Sequence, residues 1–238
     1  MKRISILVPT FKNTRFIGEC LTSIIDSIGD TDSEVLVGID HCQETLSHFE
    51  SNQYDGRIRV FFFESNVGPY VVKNTLAEIS DSENILFFDS DDIMRPNMVD
   101  DILERLSMFK IVRPMFINFF DGADTSAIEK TTSNMFAEGV FGIKKSVFLS
   151  MNGFEPWRCA ADTDFKIRLG KNLILAGKTK SVSFFRRKHE SNLTKSKETN
   201  FFSDVRKQYR KMIDEKTDFG PLPELKKEKF TEIKNKKE

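Results

Sequence analysis

NILFFDSDDIMRP, residues 84–96, runs four apolar side chains straight into three carboxylates. Ile85, Leu86, Phe87 and Phe88 form an unbroken apolar segment of strand length, the pattern of a strand buried on both faces. Asp89, Asp91 and Asp92 follow, with only Ser90 among them. Like charges this close repel unless a cation lies between them, and hard oxygen ligands suit Mg²⁺ or Mn²⁺. The stretch therefore reads as a metal site at a strand end. The alternative is an acidic turn that caps the next helix, with Asp92 as N-cap and Pro96 early in the first turn.

Upstream, residues 4–8 are an apolar run closed by Pro9 and Thr10, and over residues 16–28 apolar residues recur at helical spacing. Glu34–Ile39 is a second buried-type strand, and it too ends in an acid, Asp40. A third strand is expected over 57–63, then a loop over 64–69 and a helix over 70–79. Strands alternating with helices predict an α/β fold: a Rossmann-like, mostly parallel sheet with helices on both faces. Such sheets bind ligands beyond the carboxyl ends of their strands. Thr10, Asp40, Asn66 and residues 89–92 all fall at that edge.

Downstream, a helix is expected over 97–109, a strand over 111–120, a polar mobile loop over 121–133, a strand over 139–143 and a helix over 144–151. A turn at Gly153 precedes a helix over 163–169, and the four-residue spacing of Asp164 and Arg168 puts them on one helical face. Short strands are expected over 173–176 and 182–185, and a helix over 202–213. The lysine-rich residues 222–238 read as a solvated helix or frayed tail, with an anionic membrane surface or nucleic acid as alternative partners.

The 238 residues suit one α/β domain, and 36 Lys+Arg against 36 Asp+Glu leave no net charge to advertise a nucleic-acid partner. Cys20, Cys42 and Cys159 are odd in number and far apart, which fits neither a disulfide framework nor a zinc site and points to a reducing compartment. Residues 1–9 are too short for the apolar region of a signal peptide, and no apolar stretch approaches about 18 residues. A soluble, cytoplasmic protein is expected, with peripheral membrane contact left open.

Over residues 3–194 the chain resembles the family 2 glycosyltransferases of the GT-A fold. ISILVPTFKNTRFIGECLTSI is similar to that family's first strand, nucleotide loop and helix, with Pro9 and Thr10 where the base is approached. Asp40, closing EVLVGID, matches the acid that meets the uracil of a UDP-sugar; His41 and Cys42 stand where a second acid and a Gly-Ser usually follow. NVGPYVVKN resembles the family's glycine-containing loop and helix start, which implies base and phosphate contacts for Lys73 and Asn74. FFDSDD is similar to the DxD signature. That likeness implies Asp89 at the ribose or metal and Asp91 on a divalent ion, Mn²⁺ or Mg²⁺, that bridges the diphosphate. Such an ion stabilises the charge that develops on a departing nucleoside diphosphate without any proton transfer.

MNGFEPWRCAADTDFKIRL resembles the family's acceptor-side segment. Asp162 aligns there with the general base of inverting members and Asp164 with the next acidic position, while Ala161 replaces the usual Glu. A base must lie within about 3 Å of the hydroxyl it deprotonates. The residues by themselves also fit Asp162 as a helix N-cap and Asp164 with Arg168 as an intrahelical ion pair. FFRRKHESNLT closes the likeness, with His189 near the metal or pyrophosphate and Arg186, Arg187 and Lys188 facing the departing diphosphate.

The resemblance implies a GT-A domain over 1–200, its nucleotide-sugar half at 1–110 and its acceptor or catalytic half at 111–200, followed by a C-terminal helix and tail over 201–238. The implied activity is metal-dependent transfer, with inversion, of a sugar from a UDP-linked donor to a hydroxyl of a glycan or lipid-linked saccharide acceptor. Two rivals stand beside it. One is transfer to hydroxymethylated or glycosylated DNA bases, served by the basic run 186–188 but opposed by the zero net charge. The other is a non-catalytic nucleotide-binding scaffold of the same fold. Nucleotidyl transfer is disfavoured, because no glycine-rich phosphate loop with a lysine follows the first strand.

Overall fold

The computed structural model describes residues 2–122, 139–224 and 227–235. Its first half alternates as expected: β1 Ser5–Thr10, α1 Ile17–Ile28, β2 Glu34–Ile39, α2 Gln43–Ser51, β3 Ile58–Phe63, α3 Pro69–Ile79 and β4 Asn84–Phe87. There follow β5 Ile93–Met94, α4 Met98–Leu106, β6 Ile111–Phe120, β7 Phe141–Lys144, α5 Lys145–Ser150, α6 Ala161–Lys171, β8 Ala176–Lys188, α7 Asp204–Glu215 and β9 Phe230–Ile233.

The described strands form one sheet in the order β5-β8-β6-β7-β4-β1-β2-β3-β9. β1 pairs in parallel with β2 and β4, and β2 with β3, so the block under the nucleotide-side residues is parallel. β7 runs antiparallel between β4 and β6, which makes the sheet mixed as a whole. Alternation along the strands feeds two cores. Ile6, Val8, Val35, Val37, Leu86 and Phe88 face α1, α2 and α4, whereas Leu7, Leu36, Ile85 and Phe87 face α3, α5, α6 and α7. Every residue of β1 and β2 is buried, as their uninterrupted apolar runs demand.

Four features differ from the sequence expectations. Helix α2 was not anticipated; among its nine residues only Thr45, Leu46 and Phe49 are buried, too few to leave a clear helical stripe. Of the strand expected at 173–176 only Ala176 is extended in the sheet, residues 173–175 linking α6 to one long strand, β8, which takes in 182–185 and whose pairing with β6 slips around Met115 where Pro114 cannot donate; the polar residues in its middle disguise it. Asp92 does not cap a helix: β5 intervenes, and Asn97 is the residue before α4. The lysine-rich tail is neither helical nor frayed at residues 230–233, because β9 adds antiparallel to the edge of β3. Phe230 packs on Phe61 and Phe63, and Arg59 donates to Glu232. Of the expected mobile loop, Asp121 and Gly122 are described and 123–133 lie outside the described residues. No helix among the described residues is long and apolar enough to cross a membrane.

Candidate active site

Asp40 sits buried just past the end of β2, with its carboxylate turned on the chain itself. Oδ1 accepts from Val67 N at 2.7 Å, and Oδ2 accepts from Gly68 N at 2.9 Å and from Asn66 Nδ2 at 3.1 Å. Burial raises its pKa, and the two backbone donors partly offset that shift. The clamp sets the loop between β3 and α3, where Gly68 takes φ +90, a conformation side chains disfavour. Beside Asp40, Thr10 ends β1 next to Pro9, and its hydroxyl is buried without a hydrogen-bond partner among the described residues.

The acid loop leaves β4 at a point fixed by Phe88 N donating to Leu7 O at 3.0 Å. The buried Lys73, reaching from α3, donates to Asp89 Oδ1 at 3.0 Å and to Gly139 O at 2.9 Å. Asp91 Oδ2 lies 2.8 Å from His189 Nε2 and accepts from Asn192 Nδ2 at 3.0 Å, while His189 Nδ1 meets Ser191 Oγ at 2.9 Å. Asp92 is buried, and its Oδ1 accepts from Arg187 N at 2.9 Å. Burial first, then the charges of Asp91 and Asp89, push Asp92 well above the usual carboxylate range.

Across the cleft, Ala160 takes a left-handed conformation, φ +67, and α6 starts immediately after it. Backbone strain of this kind costs about 1–3 kcal/mol and persists only where the surroundings impose it. The turn delivers Asp162 into the site. A side chain added to Gly139 would place its Cβ 3.5 Å from Lys73 Nζ, 3.6 Å from Asp162 Oδ2 and 3.9 Å from Asp89 Oδ2. Three of the expected side chains thus converge on one point. Behind them lies Tyr70, whose phenol is raised by burial and by the charge and hydrogen bond of Asp162.

A profile described as "Glycosyl transferase family 2" matches residues 5–136, more than half of the chain. The chain belongs to glycosyl transferase family 2. Among curated relatives, the poly(ribitol-phosphate) beta-N-acetylglucosaminyltransferase TarP of Staphylococcus aureus is 30% identical over 107 residues, 43% of this chain and 32% of TarP. Glycosyltransferase GlyG of Streptococcus pneumoniae is 27% identical over 106 residues, 43% of this chain and 35% of GlyG. The matched stretches thus span about a third of either relative. Residues 1–349 of S. aureus TarS, solved in complex with UDP-GlcNAc, share the fold with a TM-score of 0.64 at 20% identity, covering 81% of this chain and 60% of that one.

On this family 2 scaffold the expected residues divide. Pro9, Thr10, Asp40, Lys73, Asp89, Asp91, Asp162 and His189 line the carboxyl edge of the sheet or face it across the cleft. Asn74 is engaged elsewhere: its amide donates to Phe154 O at 2.8 Å and accepts from Phe154 N at 2.9 Å, pinning the turn at Gly153. Arg187, expected on the diphosphate, is buried between the Phe16 and Phe119 rings, its guanidinium donating to Asp91 O, Asp121 and Glu19. It ties β8 and α1 to the acid loop. Asp164 forms a buried pair with Arg168 at 2.7 Å and also accepts from Lys216 at 2.7 Å, so it belongs to the packing of α6.

Metal fit rests on the donor set. Among the described residues no three His, Cys, Asp or Glu side chains converge into a cage. A carboxylate and an imidazole side by side, with Asp89 two residues away, match the sparse protein ligation of an ion completed by substrate phosphates. Next to His189 opens a cleft of about 310 Å³ lined by Lys12, Asn13, Arg15, Phe16, Asp121 and Ser191, among others. Sequence reasoning missed Asn192, Tyr70 and Arg158. Only Asn192 carried a signal, three residues beyond His189 in the same motif.

Proposed function

We propose that the chain holds an inverting glycosyltransferase site, which moves a sugar from a UDP-linked donor to an acceptor hydroxyl of a glycan or lipid-linked saccharide. The observation that carries this reading is the approach of Lys73, Asp89 and Asp162 to one point beside Gly139. Family membership and a fold shared with a UDP-GlcNAc-bound neighbour support it and make UDP-GlcNAc the first donor to test. TarP's printed acceptor makes a polyol-phosphate polymer the first acceptor beyond simple saccharides.

In this reading Pro9, Thr10 and Asp40 receive the base, Lys73 and Asp89 the ribose and diphosphate, and Asn74 and Arg187 hold the walls. Asp162 accepts the proton of the acceptor hydroxyl while that oxygen bonds the anomeric carbon from the face opposite the leaving group. The bond to the diphosphate breaks with its electron pair going to the phosphate oxygen. Asp91 and His189 would hold Mn²⁺ or Mg²⁺, which when bound would supply positive charge to the departing diphosphate. A cytoplasmic location belongs to the proposal, supported by three buried cysteines that remain free thiols.

The test combines binding and turnover. UDP with Mn²⁺ should raise the melting temperature where CDP and GDP do not, and EDTA should remove donor hydrolysis. Asp162→Asn should keep UDP affinity within a few-fold and lower transfer about a hundredfold. Normal transfer by that variant would end the role of Asp162 as base, and EDTA-resistant hydrolysis would end the metal.

A further inference from the structure

The loop gripped by Asp40 is held from its other side as well. Arg158, exposed and four residues before Asp162, reaches across the cleft mouth to Asn66, donating through Nη1 to Oδ1 and through Nη2 to the backbone oxygen at 2.9 Å. Its side chain lies flat over Gly68, where a Cβ would stand 3.3 Å from Arg158 Cδ and 3.9 Å from Nε. Gly68 is glycine for its positive φ, and the arginine chain packs closely against it. Residues 66 and 158 are 92 positions apart. The contact therefore joins the strand-end loop of the β1–β3 block to the segment that carries Asp162.

Little slack separates Arg158 from Asp162. Cys159, Ala160 and Ala161 are all buried, and Ala160 is locked in its left-handed turn. The backbone between Arg158 and the first turn of α6 is therefore short and packed. As an exposed polar contact, the grip adds little to global stability. Its two-point geometry instead fixes direction and distance, which a planar guanidinium does and an ammonium does not.

We propose that Arg158 is a positioning residue that couples the nucleotide pocket to the acceptor base. An occupant beside Asp40 and Asn66 sets, through Arg158, where Asp162 stands. This inference rests on the donor and base assignments proposed above.

The experiment compares Arg158→Ala, Arg158→Lys, Asn66→Ala and the Arg158→Ala/Asn66→Ala double variant with the native chain. It measures kcat, both KM values, UDP affinity by calorimetry and melting temperature. Loss of alignment should lower kcat about ten- to a hundredfold in each alanine variant; in Arg158→Ala, which leaves the Asp40 clamp intact, melting temperature should be nearly unchanged and UDP affinity within a few-fold. The losses in the double variant should fall short of the product of the two single ones, because both singles remove the Nη1–Oδ1 bond, although Asn66→Ala keeps the bond to the backbone oxygen and also removes the amide's bonds to Asp40; lysine should restore only part of kcat. An unaltered kcat, losses that multiply in the double variant, a loss confined to UDP affinity, or full rescue by lysine would each overturn the coupling. If the native chain neither binds UDP nor transfers sugar, the function reading falls with it. Native transfer alongside a fully active Arg158→Ala sinks the coupling alone.

Discussion

Asp40 meets three donors from one loop, and two of them are backbone N–H groups with no other role in the helix that follows. An Asp40→Asn change leaves one acceptor oxygen and turns an NH₂ toward an amide. A buried donor left unpaired costs about 1–3 kcal/mol. Urea denaturation should register that loss, and UDP affinity should fall with it; a variant of native stability would mean that the loop is held by other contacts. Residue types at this site were legible because acids at strand ends are conspicuous. Their partners were not: nothing in the order of residues says that Asp40 meets Val67 and Gly68, or that Arg187 lies between Phe16 and Phe119. Asp164 and Arg168 show the opposite case, since their spacing announced the pair and only the third partner, Lys216, needed the fold.

Among the elements, the most readable were those with one unambiguous period. β1, β2 and β4 have apolar middles because both faces are covered, and α1 buries Ile17, Cys20, Leu21, Ile24 and Ile28 on one stripe. Strand β9 was unreadable for a physical reason. An edge strand keeps one side in water, and charged residues there discourage pairing with other chains, so Phe230–Ile233 resembles the solvated lysine-rich sequence around it. Removing residues 228–238 should uncover Phe61 and Phe63 and leave β3 as a bare edge. Lost burial of Phe230 and Ile233 predicts about 1–3 kcal/mol of destabilisation, and light scattering should rise on storage. A truncated chain as stable and monodisperse as the full one would show β9 to be dispensable.

At the scale of the whole molecule, charge neutrality hides opposed local environments. Asp55 is drawn down to about 2, chiefly by its hydrogen bonds and ion pair with Arg57. A depressed carboxylate stabilises the fold above its unfolded value of 3.8 and loses that contribution as pH falls toward 2. The pair is about a third exposed, so solvent screening keeps its contribution small. Melting temperatures followed from pH 5 to pH 2 should therefore decline less steeply in Asp55→Asn than in the native chain; parallel curves would show that the pair does not form in solution.

The closing of the sheet by β9 bears on how the protein is made. Glu232 meets Arg59 across 173 residues of chain, so β3 emerges from the ribosome long before the strand that will cover it. During that interval the parallel block can assemble with its outer row of amide and carbonyl groups unpaired. The order expected during synthesis is therefore an early building of the nucleotide edge and a late sealing of it. The vulnerable species is the nascent chain between them, and a chaperone that shields β3 would act there.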